Sequence, residues 1–421
     1  MNRIMVFLFI VFLIFNSKLN AQTIKLDDIF NRKFERSFIS QGDNFPDFRT
    51  NKDSMQLFLI ALHNNISIKD FQSKTGFNDE RMKSIISLLE SKNWLHKINS
   101  NYKPSIFIAT KEDGQKLYEF AKPISKEIVR SIQKSLPSIR KKFSKTKISK
   151  TQDFEDWSFL ILSDVLLDSW QIFNVEKQFL GADSRPNRHG KHYYASLKEL
   201  TGEKEGFGIY GNQVGPISVY GNNRRNADIT NTENIVFLKD DEIFNEMASN
   251  YLPNLIHVLN KEKQYSLGVY QKLGYSKEIA FEEFFIWWYH FIYSQTTELM
   301  NSEKMLAIPK DGNFVYKILD YSDETHNVTF RVKVPNKSDV VYITGNQPEL
   351  GDWNPSELKM KETGDFERTI NLHIHLPAQF KFTKGNWDLE AEIKGFPKGE
   401  NIYIEIDKET EEFEIINWFK N

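Results

Sequence analysis

Apolar residues repeat at helical spacing through the first third of the chain. Met55, Phe58, Leu59 and Leu62 fall on one face, Ile66 to Gly76 forms a second short segment closed by glycine, and Met82, Ile85, Ile86, Leu88 and Leu89 mark a third. The pattern predicts three helices, the last entered through the turn Phe77-Asn78-Asp79. Leu95 to Ile98 and Ser105 to Ala109 alternate instead, which predicts two strands around Asn99-Ser100-Asn101-Tyr102, and Thr110 to Gly114 opens a further helix. Beyond Phe154 the helical period returns in Trp157 to Val175, Ile243 to Leu259 and Glu278 to Leu299. A polar loop from Ala182 to Lys191 and a glycine-punctuated strand pair from Gly206 to Gly221 lie among these helices. From His326 onward the period is two. Val328 to Val334, Val340 to Thr344, Arg368 to Leu376, Gln379 to Thr383, Tyr403 to Ile406 and Phe413 to Ile416 are short strands between turn residues. They predict an antiparallel sandwich of about 100 residues.

The first residues read differently. Asn2 and Arg3 precede an unbroken apolar run from Met5 to Phe15, and a polar stretch with Ala21 follows. This is the shape of a secretory signal peptide, cleaved near Ala21. The run is about half of the ~20 residues needed to cross a bilayer, so a cleaved leader is expected over a permanent span, and the protein is expected to be periplasmic or extracellular. The alternative is a retained membrane anchor.

The expected fold class is thus multidomain α+β. Residues 1–21 are the signal peptide, 22–125 a winged-helix-like domain, 126–153 a basic helix or linker, 154–325 a helix-rich domain, and 326–421 an immunoglobulin-like antiparallel β-sandwich.

Composition narrows the function. Lys plus Arg (55) nearly cancels Asp plus Glu (57), so no global field draws the chain to nucleic acid, anionic membrane or acidic substrate. Any charged partner must be met locally. The absence of cysteine removes disulfides, thiolate zinc sites, iron–sulfur clusters and cysteine nucleophiles together. The local exception to charge balance is Lys126 to Lys150, where nine basic residues (Lys126, Arg130, Lys134, Arg140, Lys141, Lys142, Lys145, Lys147, Lys150) face Glu127 alone. Such a run is a solvated helix face or linker, or a surface that binds anions.

Two segments of the sandwich carry candidate chemistry: "VYITGNQPELGDWNPSELKM" (Val341 to Met360) and "FKFTKGNWDLEAE" (Phe380 to Glu392). Both resemble starch-binding modules of carbohydrate-binding family 20. The resemblance implies that Trp353 and Trp387 are the two stacking tryptophans of one sugar site and Lys381 the lysine between them. A pyranose offers an apolar C–H face and a rim of hydroxyls, so flat aromatic surface with nearby polar groups is what binding needs. Asn346, Asn354 and Asn386 add polar groups. The second segment is also similar to sandwich domains attached to secreted esterases of Bacteroidota-type bacteria. The competing reading is architectural, with Trp353 closing the core.

The segment from residue 53 to 120 resembles the winged helix of bacterial repressors. DNA binding needs basic and amide groups on the third helix, but that helix starts Asn78, Asp79, Glu80, Arg81, and its acidic pair repels phosphate. A protein-interaction or spacer role fits better.

Elsewhere the chemistry is sparse. His189 and His192 stand three apart, with Glu199, Glu203 or Glu205 as further candidate ligands, but arginine and lysine surround them and no metal is expected. Glu283 and His290 share a helix face crowded with aromatic residues, as expected for a core histidine. The glycines from Gly206 to Gly221 lack the Gly-Lys-Ser/Thr end of a phosphate loop, and neither Gly-x-Ser-x-Gly nor His-Glu-x-x-His occurs. No nucleophile, acid/base pair or cofactor is nominated. The sequence reading is an exported protein that binds starch or a related α-glucan. The alternatives are a membrane-anchored DNA-binding regulator and a polysaccharide-active enzyme whose chemistry lies in the middle domain.

Overall fold

The computed structural model describes residues 25–182, 184–202, 207–214, 217–230, 232–405 and 408–419. The expected signal peptide, Glu203, Glu205, Gly206 and Gly215 lie outside the described residues.

The chain divides into two compact units that interleave in sequence. The first holds the described residues up to Thr110 together with Ser184–Leu200 and Tyr275–Ala280; the second holds the rest. The boundaries expected from sequence do not follow this division. The 125/126 junction falls inside the helix Lys111–Phe143, so the basic run is mostly helix rather than linker.

In the first unit the expected helices form as Met55–His63, Ile68–Thr75 and Asp79–Ser91. Their ends follow from capping: the Ser67 hydroxyl accepts from the Asp70 N–H at 3.1 Å, and the Asn78 side chain accepts from the Arg81 N–H at 2.9 Å. Phe58, Leu59, Phe71, Met82, Leu89 and Trp94 bury their side chains in one core. The strand pairing differs from expectation. Leu95–Ile98 pairs with Asn101–Pro104 across a two-residue turn, in which Asn99 takes the left-handed conformation (φ 55°) that asparagine tolerates. Phe107–Ala109 instead lies parallel to Tyr194–Glu199, which also pairs antiparallel with Phe34–Ile39. The loop expected from Ala182 to Lys191 contains a small hairpin, Asn187–Arg188 with Lys191–His192. Arg188 within it is buried rather than solvated, donating to the carbonyls of Tyr193 and Ser105.

In the second unit the long helices Lys111–Phe143, Leu238–Lys261 and Phe281–Ser302 pack together, Ser125 donating to the Ile292 carbonyl at 2.8 Å and the Trp288 indole to that of Leu117 at 2.9 Å. A four-stranded sheet accompanies them, ordered Ile235–Val236, Asn313–Ile318, Ile217–Gly221, Tyr210–Val214. The single helix expected over Trp157 to Val175 is broken. Leu160–Val165 and Val175–Leu180 wind as π-helix, and short irregular turns separate them. A buried polar cluster occupies this point. The Tyr293 hydroxyl donates to Asp168 at 2.6 Å, that of Tyr316 to Asp164 at 3.2 Å, and Ser163 bonds both Tyr220 and Thr297. No helix of the described residues is long and apolar enough to cross a membrane.

The C-terminal part of this unit has its own core of Val328, Phe330, Ile343, Leu350, Phe380, Phe382 and their neighbours. Its nine strands join in one hydrogen-bonded sheet: eight lie on a single path, and Ile402–Ile404 pairs off that path with Ala378–Thr383. The two ends of that path, Leu358–Lys359 and Lys361–Gly364, are consecutive in the chain and flank the buried Met360, so the sheet bends into a nearly closed barrel. The expected all-antiparallel pairing is also corrected. The last strand, Thr410–Phe419, runs parallel to Thr325–Lys333 while pairing antiparallel with Glu390–Ile393. It is this strand that joins the two halves.

Candidate functional site

Trp353 sits after a loop that leaves the strand Tyr342–Gly345. Gln347 anchors this loop: its side chain accepts from the His375 N–H at 2.6 Å and donates to the His375 carbonyl at 3.0 Å, while its own carbonyl accepts from Leu350 and Asp352. Pro348–Leu350 then makes one 3₁₀ turn, ended by Gly351 at φ 74°. The left-handed backbone does not stop at the glycine. Asp352 (φ 43°) and Trp353 (φ 62°) follow in the same region, where a side chain costs roughly 1–2 kcal/mol per residue. The Trp353 N–H donates to the Gly345 carbonyl at 2.8 Å, which fixes the turn. Gly345 is required by the close approach, since a Cβ there would lie 2.3 Å from the Gln379 carbonyl oxygen.

This geometry separates two roles that the sequence leaves joined. Leu350 fills the barrel core, whereas Trp353 is outside it and partly exposed. Trp353 is thus held in a costly backbone conformation while lying out of the core.

Trp387 stands at 37% exposure in the turn that follows the strand Ala378–Thr383, with Asn386 exposed beside it. The fully buried Thr383 links the two tryptophan loops. Its hydroxyl donates to the Pro355 carbonyl at 2.8 Å, two residues past Trp353, and accepts from the Gly385 N–H at 3.2 Å, two residues before Trp387. Lys381 lies two positions before Thr383, on the same strand face. It pairs across the sheet with Thr344. Its ammonium donates to Glu390 Oε1 at 2.7 Å and to the Gly399 carbonyl at 2.7 Å. An ammonium has three donors, so one remains.

Of the asparagines, Asn354 and Asn386 are exposed and Asn346 is half-buried. Asn346 accepts from the Gln379 N–H and donates to Asp320, and Asn354 accepts from the N–H and the hydroxyl of Ser356 while donating to Glu357. The rim near Trp353 is acidic. Burial, Glu349 and Glu357 push the Asp352 carboxyl above its usual range, and burial with the same acidic neighbourhood raises the Tyr321 hydroxyl to about 12. These carboxylates are hydrogen-bond acceptors for hydroxyl groups. A depression of about 500 Å³ opens among Lys337, Val340, Lys359, Lys361, Glu362 and Arg368; its lining is largely charged and holds no tryptophan.

Sequence reasoning missed Gln347, Thr383 and Glu390. The only signal for Thr383 was a hydroxyl at a strand end between two tryptophans. The histidines singled out in the sequence have partners of their own. His192 bonds the Arg185 carbonyl at 3.0 Å in the small hairpin. His290 bonds the Ile286 carbonyl at 2.8 Å and stacks on Tyr210 in the helical core. Among the described residues no group of three metal-ligating side chains converges.

Residues 325–410 match the family model described as a starch binding domain. The match lies wholly within the C-terminal region. No curated protein matches the chain. Among solved structures, the Gamma-CGTase from an alkalophilic Bacillus clarkii is similar at 20% identity over 25% of this chain and 18% of that one, with a TM-score of 0.18. The chain spans under a fifth of that protein's length.

Proposed function

We propose that the protein binds starch or a related α-glucan outside the cytoplasm, with Trp353 and Trp387 stacking on sugar rings. Lys381 gives its remaining N–H to a hydroxyl, and Asn386 and the acidic rim complete the polar contacts. The observation that carries this reading is the position of Trp353, outside the core on a strained turn tied through Thr383 to the Trp387 loop. Affinity is modest, because an open site desolvates part of each ring and an exposed hydrogen bond contributes about 1 kcal/mol. Export rests on the N-terminal sequence pattern.

The test is native affinity electrophoresis in gels with soluble starch, glycogen or a non-glucan polymer. Selective retardation by the α-glucans, lost in the Trp353→Ala/Trp387→Ala protein while its melting curve is retained, is the expected result. Equal mobility of both proteins in every gel overturns the proposal.

A further inference from the structure

Arg368 is only 3% exposed, yet among the described residues no carboxylate forms an ion pair with it. Its Nε donates to the Asp339 carbonyl at 2.8 Å, one terminal nitrogen to those of Gly364 at 3.1 Å and Glu367 at 2.8 Å, and the other to that of Lys337 at 2.5 Å. A guanidinium has five N–H donors, so one is left, and the buried charge is held by carbonyl dipoles rather than by a counter-ion. This side chain lines the charged depression of about 500 Å³ in the C-terminal barrel. Lys359 and Lys361 line it as well, on one face of the chain either side of the buried Met360, and among the described residues neither enters an ion pair. The other charges of the lining are mostly matched: Lys337 pairs with Asp365, and Asp339 with Lys384 at 2.7 Å. Glu362 stands opposite Arg368 in the strand register and has no such partner. Three unpaired cations therefore face one unpaired carboxylate.

We infer that this depression is a binding site for a phosphorylated sugar. Four features of its lining select that ligand. The excess of two positive charges suits a dianion, which a phosphate monoester nearly is at neutral pH. The fork of Arg368 is taken up by carbonyls, so the bidentate grip that favours a carboxylate is already spent; what is left, one guanidinium N–H and two ammonium groups with three donors each, suits the several oxygens of a phosphate. Glu362, when ionised, only accepts hydrogen bonds, so it takes hydroxyl groups and repels further phosphates. That favours a sugar monoester over a polyphosphate or a nucleic-acid backbone. The volume is many times the ~30 Å³ share of one water, so it takes an anionic group together with a larger body, and the Ser338 hydroxyl and the 40%-exposed Val340 supply polar and apolar surface for that body. The site shares no residue with the tryptophan pair and does not rest on the glucan reading.

The test is isothermal titration calorimetry of the purified full-length protein at about pH 7.5, above the second phosphate pKa of ~6, with glucose 6-phosphate, glucose, glucuronate and inorganic phosphate as probes. Lys359→Gln/Lys361→Gln removes two exposed charges without breaking an ion pair, and its melting curve verifies the fold. Lys69→Gln/Lys83→Gln, also exposed, is the charge-matched control. The Trp353→Ala/Trp387→Ala protein separates this site from the sugar site proposed above. Glucose 6-phosphate binding more tightly than the other three probes, at least about tenfold more weakly to the Lys359→Gln/Lys361→Gln variant, and unchanged in the control and in the tryptophan variant, supports the inference. Inorganic phosphate or glucuronate binding as tightly as glucose 6-phosphate, a loss confined to the tryptophan variant, an equal loss in the control, or no binding of glucose 6-phosphate at millimolar concentration overturns it.

Discussion

Glu390 holds Lys381 at 2.7 Å with its side chain only 3% exposed, so the lysine assigned to sugar binding is also half of a buried ion pair. Removing the lysine alone takes the counter-charge from a buried carboxylate. Lys381→Met is expected to destabilise the C-terminal barrel by about 3 kcal/mol, and Lys381→Met/Glu390→Met to recover much of that loss. Denaturant unfolding measures both. If the double variant is folded yet still not retarded by starch, loss of the remaining N–H donor is distinguished from loss of structure.

Thr383→Val keeps the shape of the side chain but deletes both of its hydrogen bonds. The expected cost is about 1–3 kcal/mol, together with weaker glucan retention even though both tryptophans are intact. Unchanged retention at lowered stability would show that the two loops keep their places without this link.

Asp352 occupies left-handed backbone beside Glu349 and Glu357. Asp352→Gly relieves both the steric and the electrostatic cost and is expected to raise stability by about 1 kcal/mol, read as a higher melting temperature. A lower melting temperature would mean that the carboxylate makes a compensating contact.

Asp164 lies fully buried, and desolvation pushes its carboxyl up to about 6. The fold therefore prefers the neutral acid. Its contribution to stability is full below the unfolded pKa of about 4 and is lost as pH rises through about 6, with a swing on the order of 3 kcal/mol. Asp164→Asn cannot ionise, and its amide can accept from the Ser169 N–H as the carboxylate does. The difference in melting temperature between this variant and the parent should move in the variant's favour as pH is raised from 4 to 8. A pH-independent difference contradicts the assignment.

Local chemistry was legible where local rules decide it. Ser67 and Asn78 announce their helices because a side-chain oxygen satisfies the orphan N–H groups of the first turn, and the period of two marked the C-terminal strands. Non-local pairing was not. Phe34–Ile39 gives little sign of being a strand, and its partner Tyr194–Glu199 is far away in sequence. The hairpin at Leu95 was misregistered because Asn99 allows a two-residue turn where a four-residue loop was expected. The breaks in the helix after Trp157 follow from burying Asp164 and Asp168 against tyrosine hydroxyls, a tertiary demand that overrides a helical pattern. For the tryptophan site, residue types and order were readable, but the commitment of Lys381 to Glu390 and the tie through Thr383 needed coordinates.

The interleaved first unit sets a timetable for synthesis. Its central strand, Tyr194–Glu199, is flanked by Phe34–Ile39 on one side and Phe107–Ala109 on the other. Both edges leave the ribosome well before the strand that joins them. At about 5–20 residues per second, Phe34–Ile39 waits on the order of ten seconds or more for its partner, and Glu278, which closes on His63 at 2.6 Å, arrives later still. The nascent chain therefore passes through a long interval with open strand edges, so this unit completes its fold late, and a helper that covers exposed strands would act on it during translation rather than after release.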